Sequence, residues 1–396
     1  MADPTEGSTR RLTAVLRGEG ERVKPLELFF DLVFVLGFTQ CTALMAADPT
    51  WESLAQAMLV LAVLWWSWGG YAWLTSVVDP EEGAVRIAMF AAMAGLLVVA
   101  LCVPEAFGDR ALAFAIAYGV VRGAHLALFA LASRDDPDLR HSVATLAASS
   151  AIGVGVLAAA SALDGAEQGA AWGLAILLDY GGPAIFGVEG WKLVPNHFAE
   201  RHGLIIILAL GESIVALGAG AEADLSAGLI TAAVLGITLA SALWWMYFDV
   251  VSLITERRLA NAPPGRTRNA LARDSYSYLH LPMVAGIVLV ALALEETLAH
   301  VDQHLHAETA FALCGGVATY LLAHVALRLR NAGSVNPQRL LLALLLFALI
   351  PVAQEVSALA AVAGVNVLVW LVIVYETRGY GPSRYELRHP AEAGGA

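Results

Sequence analysis

Two ionisable side chains set deep in apolar runs are the first residues here with the means to do chemistry. Glu212 stands in the middle of GLIIILALGESIVALG, between Gly211 and Ser213. A desolvated carboxyl group at that depth can bind and release a proton or a cation. The glycine is expected to admit a close neighbouring helix, and the serine to hydrogen-bond across it. Arg122 lies in a second apolar run, three residues before His125, and is the only basic residue at such depth. An unpaired guanidinium there is costly, so an acid must reach it, and Glu212 is the depth-matched partner. The pair would be either a switchable counter-ion arrangement or a fixed strut.

A second group lies nearer one end of the runs. Glu27 and Asp31 are four apart and share one helix face, with Asp31 set among Phe29, Phe30 and Phe34. The plain alternative is an acid pair favoured by a helix N-terminus and the nearby Lys24. Glu200, Arg201 and His202 open one run, Asp249 closes another, and His280 precedes Leu281-Pro282, where a kink would free backbone carbonyls. By depth, Asp31, Arg201, Asp249 and His280 could converge in one polar layer, either a vestibule or a ring of interhelical hydrogen bonds. Asp179, His125 and His324 lie in the same half.

Other constellations are weaker. His300, His304 and His306 fall in HVDQHLHAE, but zinc needs three or four convergent ligands, and a solvated polar loop explains the pattern. Trp65, Trp66, Trp68, Trp244 and Trp245 sit some way into their runs, which favours packing over an interfacial belt. No nucleotide-binding glycine loop, nucleophile elbow or HExxH pattern occurs. Cys41, Cys102 and Cys314 are odd in number and make no CxxC pair. No catalytic residue, metal site or cofactor is therefore assigned.

The elements that must carry these residues follow from composition. Of 396 residues, 58% are hydrophobic and 15% are charged, against about 25% charged in soluble domains. Apolar runs of about twenty residues recur along the chain, the length of a membrane-spanning helix, without the alternation of a barrel strand. Spans are expected at about 27–47, 52–76, 84–104, 110–133, 141–162, 169–188, 203–221, 225–252, 275–297, 307–330, 338–356 and 358–376. The first holds Glu27 and Asp31, which a cleavable signal core should lack, so it is read as retained.

With twelve spans, 21 of the 23 Lys and Arg residues fall in the termini and the even-numbered connections. The other side receives only Arg110, and its connections ADPTWE, LDGAEQG and AEAD are acidic. The positive-inside rule then places both termini in the cytoplasm. The net charge of −12 reflects those acidic connections. No basic stripe with interleaved aromatics suggests nucleic acid. The partner is the lipid bilayer, with a small solute, proton or cation as candidate cargo; oligomeric state is not readable.

The two halves resemble each other. Trp65-Trp66 answers Trp244-Trp245, AGLLVVAL from Ala94 answers AGIVLVAL from Ala285, AHLAL from Ala124 answers AHVAL from Ala323, and Asp179 answers Glu376. Glu105 and Glu296 follow at matching distance. The offsets are 179, 191, 199 and 197 residues, in consistent order. The expected fold is all-α: a polytopic integral membrane protein of about twelve helices as two parallel six-helix repeats. Its parts are a tail over 1–26, units over 27–188 and 203–376, a linker over 189–202 and a tail over 377–396. Such a plan occurs in secondary transporters with sites between the halves.

Four segments carry a family resemblance. ERVKPLELFFDLVFVLGFTQ at 21–40, ERHGLIIILALGESIVALG at 200–218, WWMYFD at 244–249 and YSYLHLPMVAGIVLVALALE at 276–295 together resemble the low temperature requirement A (LtrA) family of bacterial membrane proteins. The resemblance implies a multi-pass protein linked to growth in the cold and supplies no substrate or reaction. Three functions stay open: a secondary transporter or ion-translocating protein using Glu212 and the polar layer, an intramembrane enzyme acting on a lipid, or a non-catalytic structural protein. Glu27, Asp31, Arg122, His125, Arg201, Glu212, Asp249 and His280 are the candidate residues for transport or a polar core, and an enzyme is the less favoured reading.

Overall fold

The computed structural model describes residues 22–81, 83–220, 226–379 and Arg388. Most of the two tails and the acidic connection at 221–224 lie outside the described residues. Helices account for nearly everything described: α1 (Pro25–Ala47), α2 (Trp51–Thr75), α3 (Gly83–Cys102), α4 (Ala111–Ala132), α5 (Pro137–Ala160), α6 (Gly165–Ile185), α7 (Pro195–Gly220), α8 (Ala227–Phe248), α9 (Val251–Ala260), α10 (Arg266–Ala272), α11 (His280–Ala299), α12 (Ala307–Ala332), α13 (Pro337–Gln354) and α14 (Ala358–Gly379). Among the described residues the one β-type contact is an isolated bridge between His304 and Ser357.

Local chemistry sets the helix starts. Proline opens α1, α5 and α13, where its missing N–H costs nothing. Thr50, Asp136, Ser226 and Asn336 accept from backbone amides of the first turns that follow them. Two departures from the expected elements stand out. The connection at 253–274, between the eighth and ninth expected spans, carries most of α9 and all of α10. Asn269 in α10 donates to the carbonyls of Val188 and Trp191, at 2.8 and 2.5 Å, and so straps α10 to the α6–α7 connection. The stretch 189–202, read as a linker, already contains the first two turns of α7.

The polarity of the molecule is that of a membrane protein. Leu177, Ile185 and Leu341 are 72%, 77% and 68% exposed, while Glu27, Asp31 and Arg201 are fully buried. Apolar side chains outside and charges inside is the arrangement a lipid solvent requires. Ten helical segments among the described residues are long and apolar enough to cross a bilayer. Helices α6 and α7, where two further spans are expected, are not among these ten and run 21 and 26 residues.

Packing follows one scheme twice. Helix α1 packs on α2 and α3, α3 on α4, α4 on α5, α5 on α6, and α6 back on α2. Likewise α7 packs on α8 and α11, α11 on α12, α12 on α13, α13 on α14, and α14 back on α8. Helix α1 joins the sets by packing on α7 and α11. It runs parallel to α7, because side-chain bonds between them keep a near-constant sequence separation of 170, 170 and 173 residues. Helices α11 and α12 approach each other closely through their backbones. A Cβ at Gly286 would stand 2.5 Å from the Gly316 carbonyl oxygen. At Gly211, where close approach was expected, a Cβ would meet nothing within 4 Å.

Candidate functional site

Three networks gather buried ionisable groups of the candidate set. The first lies between α1, α2 and α7. Glu27 and Asp31 present one face of α1, and His197 and Arg201, also four apart, present the facing side of α7. Arg201 Nη1 donates to Glu27 Oε1 at 3.0 Å and to Thr75 Oγ1 at 2.9 Å. Its Nη2 reaches Asp31 Oδ1 at 2.5 Å, and Trp68 Nε1 donates to the same oxygen at 2.8 Å. His197 Nε2 lies 3.0 Å from Glu27 Oε1. The Arg201 guanidinium also stands 5.7 Å from the centre of the Trp68 ring. Asp31 Oδ2 has no hydrogen-bond partner among the described residues.

The second network adjoins the first through Trp68, whose ring centre lies 4.8 Å from that of His202. His202 in turn lies 5.3 Å from His280, and Tyr276 stacks on His280 at 5.0 Å. His280 Nδ1 faces the Ser275 carbonyl at 2.8 Å and must carry the proton. Its Nε2 therefore accepts from the Tyr247 hydroxyl, also at 2.8 Å. Ser275 belongs to a π-helical stretch, Arg273–Tyr278, immediately before α11. The carbonyl that orients His280 therefore lies in this wide turn, seven residues before Pro282. Tyr247 and Tyr276 also line a cavity of about 470 Å³, together with His197, Glu200, Ser252 and Glu256. This vestibule thus ends on the two tyrosines that touch His280.

The third network settles the partner of Arg122. It is Asp179 on α6, not Glu212: Arg122 Nη2 lies 3.0 Å from Asp179 Oδ1. Ser150 Oγ bridges the two, accepting from Arg122 and donating to Asp179 at 2.6 Å each. Tyr118 donates to the other carboxylate oxygen at 2.8 Å. His125 Nδ1 accepts from Arg122 Nη1 at 3.4 Å. The cavity beside Arg122 and His125, about 40 Å³, is walled by Trp66, Trp73 and Trp191 and does not include Glu212.

Glu212 is buried, and its Oε2 accepts from Thr39 Oγ1 on α1 at 2.6 Å. Eleven residues beyond Arg201 on α7, it lies about 16 Å along the helix from the first network. Of the four residues expected in one layer, Asp31 and Arg201 bond directly, and His280 joins them through His202. Asp249 is engaged elsewhere: the Arg388 guanidinium pairs with its carboxylate and donates to its carbonyl at 3.2 Å. The three histidines near α11 and α12 do not converge, since His300 pairs with Glu296 at 3.0 Å and His304 faces the Gln354 carbonyl.

Outside the spans, Asp136 links the α4–α5 and α6–α7 connections by pairing with Lys192. The lysine, together with the Leu139 amide that Asp136 caps, holds its carboxyl below the usual carboxylate range.

Sequence reasoning did not single out His197, Tyr247 or Tyr276, and it named His202 and Trp68 without linking them to Asp31. One signal was available: acids at 27 and 31 and bases at 197 and 201 are matched pairs with the same spacing.

Comparison with known proteins shows the following. A family described as bacterial low temperature requirement A protein (LtrA) matches residues 22–375. An uncharacterized protein of Rhizobium meliloti (strain 1021) is 29% identical over 366 residues, covering 88% of each chain. No solved structure matches.

Proposed function

The chain belongs to the bacterial low temperature requirement A (LtrA) family, and we propose that it is a cell-membrane carrier that couples movement of a proton or cation to a small solute. One observation carries this reading. The vestibule of about 470 Å³ ends on Tyr247 and Tyr276, which touch His280, and from there His202 and Trp68 lead to the buried Asp31–Arg201 pair. Ionisable groups inside a bilayer that adjoin a polar cavity mark ion and substrate routes. In this reading Asp31 and Arg201 form the inner station. Glu212, with Thr39, is the outer carboxyl that binds and releases the coupling ion.

The proposal includes the twelve-span arrangement with both termini in the cytoplasm. Parallel α1 and α7 require an odd number of crossings between them, which α2 to α6 supply if α6 spans. The recurrence of one packing scheme in α1–α6 and in α7–α14 supports two units of the same orientation. In this reading, with the basic connections inside, the vestibule opens at the cytoplasmic face.

The test uses purified protein in proteoliposomes loaded with a pH-sensitive dye. Wild-type vesicles should show proton flux driven by an imposed cation or solute gradient above that of empty vesicles. Glu212→Gln should abolish it in protein that still elutes as a single folded species. Flux unchanged in that variant removes Glu212 from the coupling step, and no flux in wild type across a panel of solutes and cations overturns the carrier reading.

A further inference from the structure

A second cavity lies apart from the vestibule, between α9, α12, α13 and α14, with a volume of about 290 Å³. We propose that it binds a phosphate-bearing anion, either free or as the headgroup of a membrane lipid. The proposal does not depend on the carrier reading, because none of the lining residues belongs to the vestibule or to the Asp31–Arg201 network.

Unmade hydrogen bonds point to a ligand. His324 is 3% exposed, and neither ring nitrogen has a partner among the described residues. Asn331 is 8% exposed, and Ser275 Oγ donates to its Oδ1 at 2.7 Å. That bond fixes the amide orientation and leaves Nδ2 as a buried donor with no partner among the described residues. Leaving such groups unpaired is costly, so a cavity lined by both favours an occupant with acceptor oxygens.

Charge selects the sign of that occupant. The lining contains one acid, Glu376, and two cations, Arg328 and Arg339. Glu376 is neutralised: Arg339 Nε and Nη2 donate to its two oxygens at 2.9 and 2.8 Å, and Asn336 adds a bond at 3.0 Å. Arg328 is exposed at the rim, with its Nε on Ser334 Oγ at 3.0 Å. The remaining charge is positive, and the arginine fork matches a phosphate. The start of the 18-residue helix α13 at the same rim adds a favourable dipole. The volume corresponds to about ten waters, enough for a phosphate with part of its ester.

The equivalent position in the first six helices is closed. There the cavity beside His125 is walled by tryptophans and holds about 40 Å³. His125 and His324 correspond in the repeated AHLAL and AHVAL segments, so the same framework is open in one unit and filled in the other.

The experiment is calorimetric titration of full-length protein in uncharged detergent with two probes, inorganic phosphate and dihexanoyl phosphatidylglycerol. Saturable one-to-one binding of at least one probe is expected. Arg328→Gln and Asn331→Asp should each weaken it about tenfold or more, and Arg328→Lys should weaken it less. Binding of inorganic phosphate identifies a free anion as ligand, and binding of the lipid alone identifies a headgroup. Glu212→Gln should bind as wild type, which separates this site from the proposed coupling acid. No saturable binding of either probe, or binding unchanged by Arg328→Gln, overturns the proposal. Because Arg328 is exposed, that variant decides the question if Asn331→Asp does not fold.

Discussion

Arg201 bridges Glu27 and Asp31 through two different guanidinium nitrogens, at 3.0 and 2.5 Å, with all three side chains fully buried. Removing the arginine leaves two buried carboxylates four residues apart without the guanidinium that bridges them. Arg201→Gln should therefore destabilise the protein by about 3–5 kcal/mol, read as a lower melting temperature in detergent and reduced yield. Arg201→Lys should not restore wild-type stability, because a point charge cannot serve two acids as the fork does. Wild-type stability in Arg201→Gln would show that the network is not held together by this residue.

Asp179 and Glu212 separate a structural acid from a candidate functional one. Asp179 accepts from Arg122, Ser150 and Tyr118, whereas Glu212 accepts from Thr39. Asp179→Asn leaves a buried guanidinium without its counter-charge and should cost about 3–5 kcal/mol. Glu212→Gln keeps the shape of the side chain, leaves no cation unpaired, and should melt within a few degrees of wild type. Equal losses in the two variants would contradict this division.

Glycines give a control for packing. At Gly286 a Cβ would collide with backbone, 2.5 Å from Gly316 O and 3.0 Å from Tyr320 N, and backbone cannot swing aside as a side-chain tip can. Gly286→Ala should cost about 1–3 kcal/mol by overpacking. Gly211→Ala meets nothing and should be neutral or slightly stabilising, since alanine is the better helix former. Thermal melts of the two variants side by side test the contrast.

What was legible in the sequence follows from its physics. Apolar runs of bilayer length announce helices because lipid satisfies no backbone groups, and the expected spans overlap the observed helices closely. The α7 start was missed because Asn196, His197, Glu200 and Arg201 interrupt the apolar run, although they lie in the helix. Partners across helices were mostly hidden. Depth alone matched Arg122 with Glu212, but depth does not say which helices touch, and α5 and α6 brought Ser150 and Asp179 to Arg122 instead. The His280 environment was hidden for another reason, since its orienting carbonyl depends on a π-helical stretch with no marker in the residue pattern.

The Asp136–Lys192 pair gives a pH dependence outside the membrane. Its carboxyl is held below its usual range by Lys192 and the Leu139 amide, so the folded state binds that proton less readily than the unfolded chain. The stabilisation is complete above the unfolded carboxylate range and is lost as pH falls through the folded value. Its size is at most about 1 kcal/mol, because the lysine is well exposed. Asp136→Asn should therefore narrow the stability gap to wild type as the pH of the melt falls from neutral towards 3. A gap that stays constant over that range would show that ionisation of Asp136 contributes nothing.

The proposed topology makes its sharpest claim at α6. If α6 spans, Asp164 and Lys192 lie on opposite faces of the membrane, because they stand just before and just after a 21-residue helix. In the proposed topology Lys192 is inside and Asp164 outside. Native thiols should interfere little, since Cys41, Cys102 and Cys314 are buried. In intact cells, Asp164→Cys should react with a membrane-impermeant maleimide, while Lys192→Cys should react only after permeabilisation. Labelling of both from outside, or of neither, would mean that α6 does not cross. Parallel α1 and α7 would then need a different pairing of crossings, and the division into two six-span units would fail with it.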